Sequence, residues 1–192
     1  MKLNAEAMTS LGTRLAQRSS KLGGLDAIML ERDERRFLGV DPGLSRTGLG
    51  LIRSQQGRLA FAASELIAPS PDQPLHERLH QLYAGVQKCL REWHPEVMVV
   101  ENVIYARNAQ VALKLGHARG VLLLAAAESE LPVIEYAPRE VKLAVTGHGG
   151  ASKEQMQRMV QAVLAMPEAP ETYDVADALA LAICHAHRAS CK

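Results

Sequence analysis

The run Phe37-Leu38-Gly39-Val40-Asp41-Pro42-Gly43 constrains this chain more than any other stretch. Apolar side chains lead to one carboxylate, and Pro-Gly follows at once. Proline has no N–H to donate to a continuing ladder, and glycine accepts a turn. The pattern predicts a buried strand that ends at Asp41. Thr47-Gly48-Leu49-Gly50-Leu51-Ile52 then reads as the returning strand of a hairpin, short of side chains on one face. A carboxylate at the mouth of a core strand is costly unless it is paired or bound to metal. Asp41 is therefore either a functional residue or the cap of its own turn.

The rest of the chain alternates. Arg58 to Ile67 reads as a third strand, antiparallel and near an edge, and Ala68 to Pro74 as a proline-containing loop. Leu75, Leu79, Leu82, Val86, Cys89 and Leu90 form the stripe of an amphipathic helix that ends near Trp93-His94-Pro95. Val97-Met98-Val99-Val100 again delivers a single carboxylate, Glu101. After a polar and aromatic loop from Asn102 to Asn108, a helix is expected from Ala109 to Glu130. Its Gly116 and Gly120 would let another helix or strand come close. A short strand from Leu131 to Tyr136 and a helix opened by Pro138 at its first position follow. Thr146 to Lys153 reads as a glycine-rich loop, with Ser152 as the cap of the helix from Lys153 to Leu164. A last helix spans Tyr173 to Ala189. Three strands joined by short turns, then helix–strand alternation, imply an α/β domain with a five-stranded mixed sheet and helices on both faces.

Bulk properties bound the remaining choices. The 192 residues suit one sizeable core and not two ordinary domains. Aromatics are only 4%, so the core must be aliphatic and alanine-rich. No run approaches the roughly 20 apolar residues that span a bilayer. A formal net charge of +1 gives no global basic signature, so a polyanionic partner must be held by a local patch. Residues 1–36 carry seven Lys or Arg against five Asp or Glu. They are expected to be an extension, disordered or loosely helical, with a transit sequence or a start at Met29 as alternatives. The domain is expected over 37–189, with 190–192 as a tail. Cys89, Cys184 and Cys191 have no metal-type spacing and read as free thiols of a reducing, cytoplasmic compartment.

Four carboxylates fall where apolar elements should not carry them. Asp41 and Glu101 end core strands, while Asp174 and Asp177, three apart, share one face of the last helix. Asp177 lies in the apolar stretch Val175 to Ile183, so it needs a partner; Asp174 could instead cap the helix. No lysine or arginine is obvious in the sequence beside them. If they meet, they repel one another unless divalent cations intervene, and oxygen donors of this kind suit Mg²⁺ or Mn²⁺. Two ions about 4 Å apart would hold both sides of a phosphodiester during in-line displacement.

These motifs, in this order, resemble the RuvC family of Holliday-junction resolvases, in the retroviral-integrase/ribonuclease H superfamily. The resemblance runs from Phe37 to His187. It rests on Gly39-Val40-Asp41-Pro42-Gly43 with Thr47-Gly48, Glu101-Asn102, Asn108, Ala112 to Gly120, Tyr136 to Lys142, and Asp174-Val175-Ala176-Asp177-Ala178-Leu179-Ala180. It implies a ribonuclease H-like fold and a homodimeric, Mg²⁺- or Mn²⁺-dependent endodeoxyribonuclease with two ions per centre. Such an enzyme nicks opposed strands of four-way DNA junctions symmetrically, in recombination and repair, beside a RuvA–RuvB branch-migration complex. The family's acidic centre matches Asp41, Glu101, Asp174 and Asp177; some members carry histidine in place of Asp174. The glycine-bearing return strand after Asp41 would then bring backbone and phosphate close together. The family's two basic residues match Lys142, expected to be catalytic, and Lys153, both able to meet phosphate. Family members place a phenylalanine a few residues after the glutamate, at the junction centre. Here Ile104 holds the matching place and Tyr105 is the nearby aromatic, able to stack on a base. Arg107, Arg119 and His148 complete the expected DNA contacts, with Arg119 also a candidate for the dimer interface.

Three other readings fit parts of the pattern. An actin-like or sugar-kinase ATPase also begins with a strand, an aspartate and a glycine-bearing hairpin, but needs a second domain and leaves Asp174 and Asp177 unused. A junction-binding protein without catalysis would not need all four acids. A ribonuclease H-fold nuclease acting on another branched nucleic acid would.

Overall fold

In a computed structural model of the chain, residues 34–102 and 108–189 are described. The leader, the tail and three expected DNA contacts, Ile104, Tyr105 and Arg107, lie outside the described residues. Among those described, the strands are β1 (Arg35–Asp41), β2 (Thr47–Gln55), β3 (Arg58–Ile67), β4 (Val97–Glu101) and β5 (Val133–Tyr136). The helices are α1 (Leu75–Trp93), α2 (Ala109–Glu128), α3 (Pro138–Thr146), α4 (Lys153–Val163) and α5 (Tyr173–Ala189). The order of elements is the expected one. Helix α2 stops at Glu128, two residues short of expectation. Ser129 caps it, Glu130 takes a left-handed φ of 51°, and Pro132 bars a helical Leu131.

The five strands form one mixed sheet in the order β3-β2-β1-β4-β5. β1 pairs antiparallel with β2 and parallel with β4, while β3 and β5 are the edges. Because side chains alternate along a strand, β1 and β4 feed two cores. Leu38, Val40, Met98 and Val100 pack with α1 and α2; Phe37, Val97 and Val99 pack with α3, α4 and α5. Asp41 is two residues from Gly39 and four from Phe37, and Glu101 is two from Val99. Both carboxylates therefore project to the α5 side.

The glycines of the hairpin explain how α5 lies so close. A Cβ at Gly39 would stand 1.8 Å from the Ala178 carbonyl oxygen, and one at Gly48 2.1 Å from that of Asp174. The bare face of β1 and β2 is therefore room for the helix backbone, where the sequence suggests room for a phosphate. Ala176, Ala178, Ala180 and Ala182 complete this contact from the other side, all buried. Thr172, not Asp174, caps α5, its hydroxyl accepting from the Val175 N–H at 3.3 Å. No helix among the described residues is long and apolar enough to cross a membrane. Cys89 and Cys184 are free and buried, and burial pushes each thiol up to about 11.

Candidate active site

Three elements meet at the C-terminal ends of β1 and β4. Val40 and Val100 are register partners in the parallel pair, so the next residues, Asp41 and Glu101, end adjacent strands side by side. The first turn of α5 crosses above them. The result is a cavity of about 260 Å³ lined by Asp41, Glu101, Asp177, Lys142 and Lys153, with Met156 and Leu181 among its apolar walls. Asp174 is not among the lining residues. Lys142 projects from α3, and Lys153 opens α4, where the helix dipole disfavours a cation. Ser152 caps α4 as expected, receiving the Gln155 N–H at 3.2 Å while the Gln155 side chain accepts from the Ser152 N–H at 2.8 Å.

The electrostatics follow from this crowding. Burial, then the charges of Asp177, Glu101 and Asp174, raise the Asp41 carboxyl to about 7, against the pull of Lys153. Burial and Asp177 raise Glu101, with Lys142 and Lys153 opposing. Burial disfavours the charged form of Lys153, but Asp177, Asp41 and Asp174 outweigh it and raise its pKa.

The acids meet cations: Lys153, expected at the site, and Arg46, which was not. Lys153 Nζ lies 3.3 Å from Asp177 Oδ2, and Arg46 Nε lies 2.8 Å from Asp174 Oδ2. Sequence reasoning missed Arg46 because its partner is 128 residues away. The available signal was its position inside the Asp41-to-Thr47 turn. That turn is well held. Buried Thr47 donates through Oγ1 to Gly43 O at 2.6 Å and accepts from Gly43 N at 3.2 Å. From α1, Arg78 Nη2 donates to Leu44 O and to Ser45 Oγ at 3.0 and 3.2 Å.

Arg119 and His148, both expected to meet DNA, lie in different settings. Arg119 has partners within the chain. Its side chain is 18% exposed, donates to Glu101 O at 2.7 Å and pairs with Glu135 at 2.5 Å, so it ties the end of β4 to β5. His148 is exposed on the loop after α3, and its backbone is closed on Thr146 Oγ1. His185 packs edge-on to Phe37 and bonds to the Tyr136 hydroxyl at 3.0 Å, away from the acids.

Among the described residues, no group of three carboxylate, imidazole or thiol side chains is set to enclose a metal ion as it stands. The donor set nonetheless fits a hard divalent cation. It offers carboxylate oxygens alone, in a cavity where burial first and then three neighbouring acids raise Asp41 to about 7.

A five-stranded mixed sheet with carboxylates at the ends of its two central parallel strands, and more on the helix crossing them, defines a ribonuclease H-like protein. The family model "Crossover junction endodeoxyribonuclease RuvC" matches residues 37–185, and the chain belongs to that family. The RuvC protein of Desulforamulus reducens is 47% identical over 154 residues, 80% of this chain and 94% of the relative. That of Proteus mirabilis is 50% identical over 152 residues, 79% and 86% of the two chains. Thermus thermophilus RuvC, solved in complex with a Holliday junction substrate, superposes with a TM-score of 0.76 at 37% identity, covering 81% of this chain and 94% of that one.

Proposed function

We propose that this protein is a Holliday-junction resolvase, a metal-dependent endodeoxyribonuclease that cuts opposed strands of four-way DNA in recombination and repair. One observation carries the reading: in a RuvC-family chain, Asp41 of β1, Glu101 of β4 and Asp177 of α5 share one cavity with two lysines. The solved junction complex of the Thermus relative supports four-way DNA as the substrate. Asp41, Glu101, Asp174 and Asp177 would hold two Mg²⁺ ions, or Mn²⁺ in their place. Bound there, the ions would supply the charge that activates water and steadies the leaving oxygen in an in-line displacement.

The chain's own groups do the rest. Burial first and then three neighbouring acids raise Asp41, so a cation held beside it would favour its ionised form. Lys153 keeps Asp177 directed at the cavity, and Lys142, beside Glu101, balances charge growing on the phosphate. Arg119 fixes the backbone that presents Glu101. Tyr105 or Ile104, a few residues beyond Glu101 in the chain, would meet the bases at the junction centre, with Arg107 and His148 on phosphates. Two such centres, in a homodimer, match the two-fold symmetry of the substrate. One face of α2 supports that arrangement: Leu113 and Leu124 are more than half exposed on it, and no described residue crowds Gly116 or Gly120 beside them. The protein would work in the cytoplasm, where its buried cysteines stay reduced, alongside the family's RuvA–RuvB machinery.

Cleavage of end-labelled synthetic junctions, mapped to the nucleotide, tests the reading. With Mg²⁺, paired cuts at symmetric positions are expected, and none on linear duplex. Asp41→Asn is expected to bind the junction within about twofold of wild type and to lose at least about a hundredfold in cleavage. Cleavage that survives this substitution, or cuts duplex without regard to structure, overturns the proposal.

A further inference from the structure

Asp174 and Asp177 sit one turn apart on the same face of α5, yet only Asp177 lines the cavity. Their partners differ. Lys153, which holds Asp177, is itself a cavity residue, whereas Arg46, which holds Asp174, is not. The Arg46 guanidinium reaches Asp174 from a turn pinned at two points, by Thr47 inside it and by Arg78 from α1. The backbone of that turn is therefore fixed, while the Arg46 side chain, 48% exposed, is free to swing.

We propose that Arg46 is a positioning residue: a built-in counter-ion that competes with divalent metal for Asp174 and keeps this fourth carboxylate turned from the cavity until metal displaces it. The inference rests on the reading of the acidic centre as a metal site. A carboxylate oxygen that accepts a charge-assisted hydrogen bond cannot offer the same lone pair to an ion. The guanidinium occupies Oδ2 and its charge opposes an arriving cation, so metal uptake through Asp174 works against the Arg46–Asp174 pair and is weakened by what the pair is worth. Once released, the guanidinium stays on the rim of the site, because its turn cannot follow Asp174. There it has the planar fork that suits a DNA phosphate. The protein thus carries a cation that serves the acid when the site is empty of metal and is available to the substrate when it is filled.

Calorimetric titration of the DNA-free protein with Mn²⁺ reads this directly. For a half-exposed pair, Arg46→Ala is expected to tighten Mn²⁺ binding about two- to fivefold. Arg46→Gln, which keeps the length without the charge, should do the same, so the result does not depend on one variant. Arg46→Lys should restore most of the wild-type value. In an Asp174→Asn background, removing Arg46 should leave Mn²⁺ affinity unchanged. Binding that is unaltered or weaker in Arg46→Ala overturns the proposal, as does equal tightening with Asp174 already replaced. Uptake by the variant alone, with none by wild type, supports it. Uptake by neither overturns both the metal reading and the counter-ion, whereas uptake insensitive to Arg46 overturns the counter-ion alone.

Discussion

Asp41 is the residue whose charge the fold opposes most. Its carboxyl is raised from 3.8 to about 7 by burial and by three neighbouring acids. Below about pH 4 it is protonated whether the chain is folded or not, and it costs nothing. Between about 4 and 7 the unfolded chain gives up the proton and the folded one keeps it, so stability falls as pH rises through that window. Above 7 the penalty is complete, at most about 4 kcal/mol, since each tenfold change in proton affinity is worth about 1.4 kcal/mol. Thermal unfolding in EDTA at pH 5 and pH 7.5 checks this. Asp41→Asn should melt higher than wild type at pH 7.5 and respond less to pH. Adding Mg²⁺ should raise the wild-type midpoint and leave that of the variant nearly unmoved. Equal pH responses would show that the penalty is not lodged at Asp41. The sequence announces Asp41 because an apolar strand has no other use for a carboxylate. Arg46 is silent there, since an arginine in a polar turn is ordinary until α5 brings Asp174 onto it from 128 positions away.

Helix α5 is where sequence pattern and structure part over cause while agreeing over form. Apolar runs and proline or glycine boundaries mark each strand and helix, and the two carboxylates of α5 are legible from their apolar surroundings. The purpose of Gly39 and Gly48 is not, because a missing side chain does not say what occupies the space. The answer is the carbonyl edge of α5, 1.8 Å from a Cβ at Gly39 and 2.1 Å from one at Gly48. A methyl group at Gly39 cannot be absorbed by rotating a side chain; the helix itself must lift. Gly39→Ala is therefore expected to cost about 3 kcal/mol, the upper end of overpacking penalties, in chemical denaturation. It should also lower cleavage more than folding alone explains, because Asp174 and Asp177 move with α5. A variant of wild-type stability would show that α5 rests on the sheet less closely than these contacts require.

For the molecule as a whole, helix α2 poses the remaining question. Gly116 and Gly120 lie in its interior, where each glycine costs about 1 kcal/mol relative to alanine. Nothing within the described residues crowds either one, and Leu113 beside them is 64% exposed. Glycines that the chain's own packing does not need are explained if another surface comes against them. A two-fold substrate makes a second copy the natural occupant, and small residues are what allow two helix backbones to approach. Gly116→Leu separates the two roles. Leucine is a better helix former than glycine and meets nothing among the described residues, so the isolated fold should be as stable as wild type or slightly more so. Against a partner helix the same side chain stands in the way. Sedimentation should find wild type at about twice the 20.9 kDa chain mass and the variant as single chains at micromolar concentration. On junction DNA the variant should release singly nicked molecules where wild type gives paired cuts, since each centre then acts without its twin. A variant that remains dimeric, or a wild type that sediments as a single chain, would remove α2 from the interface and leave its two glycines without a role.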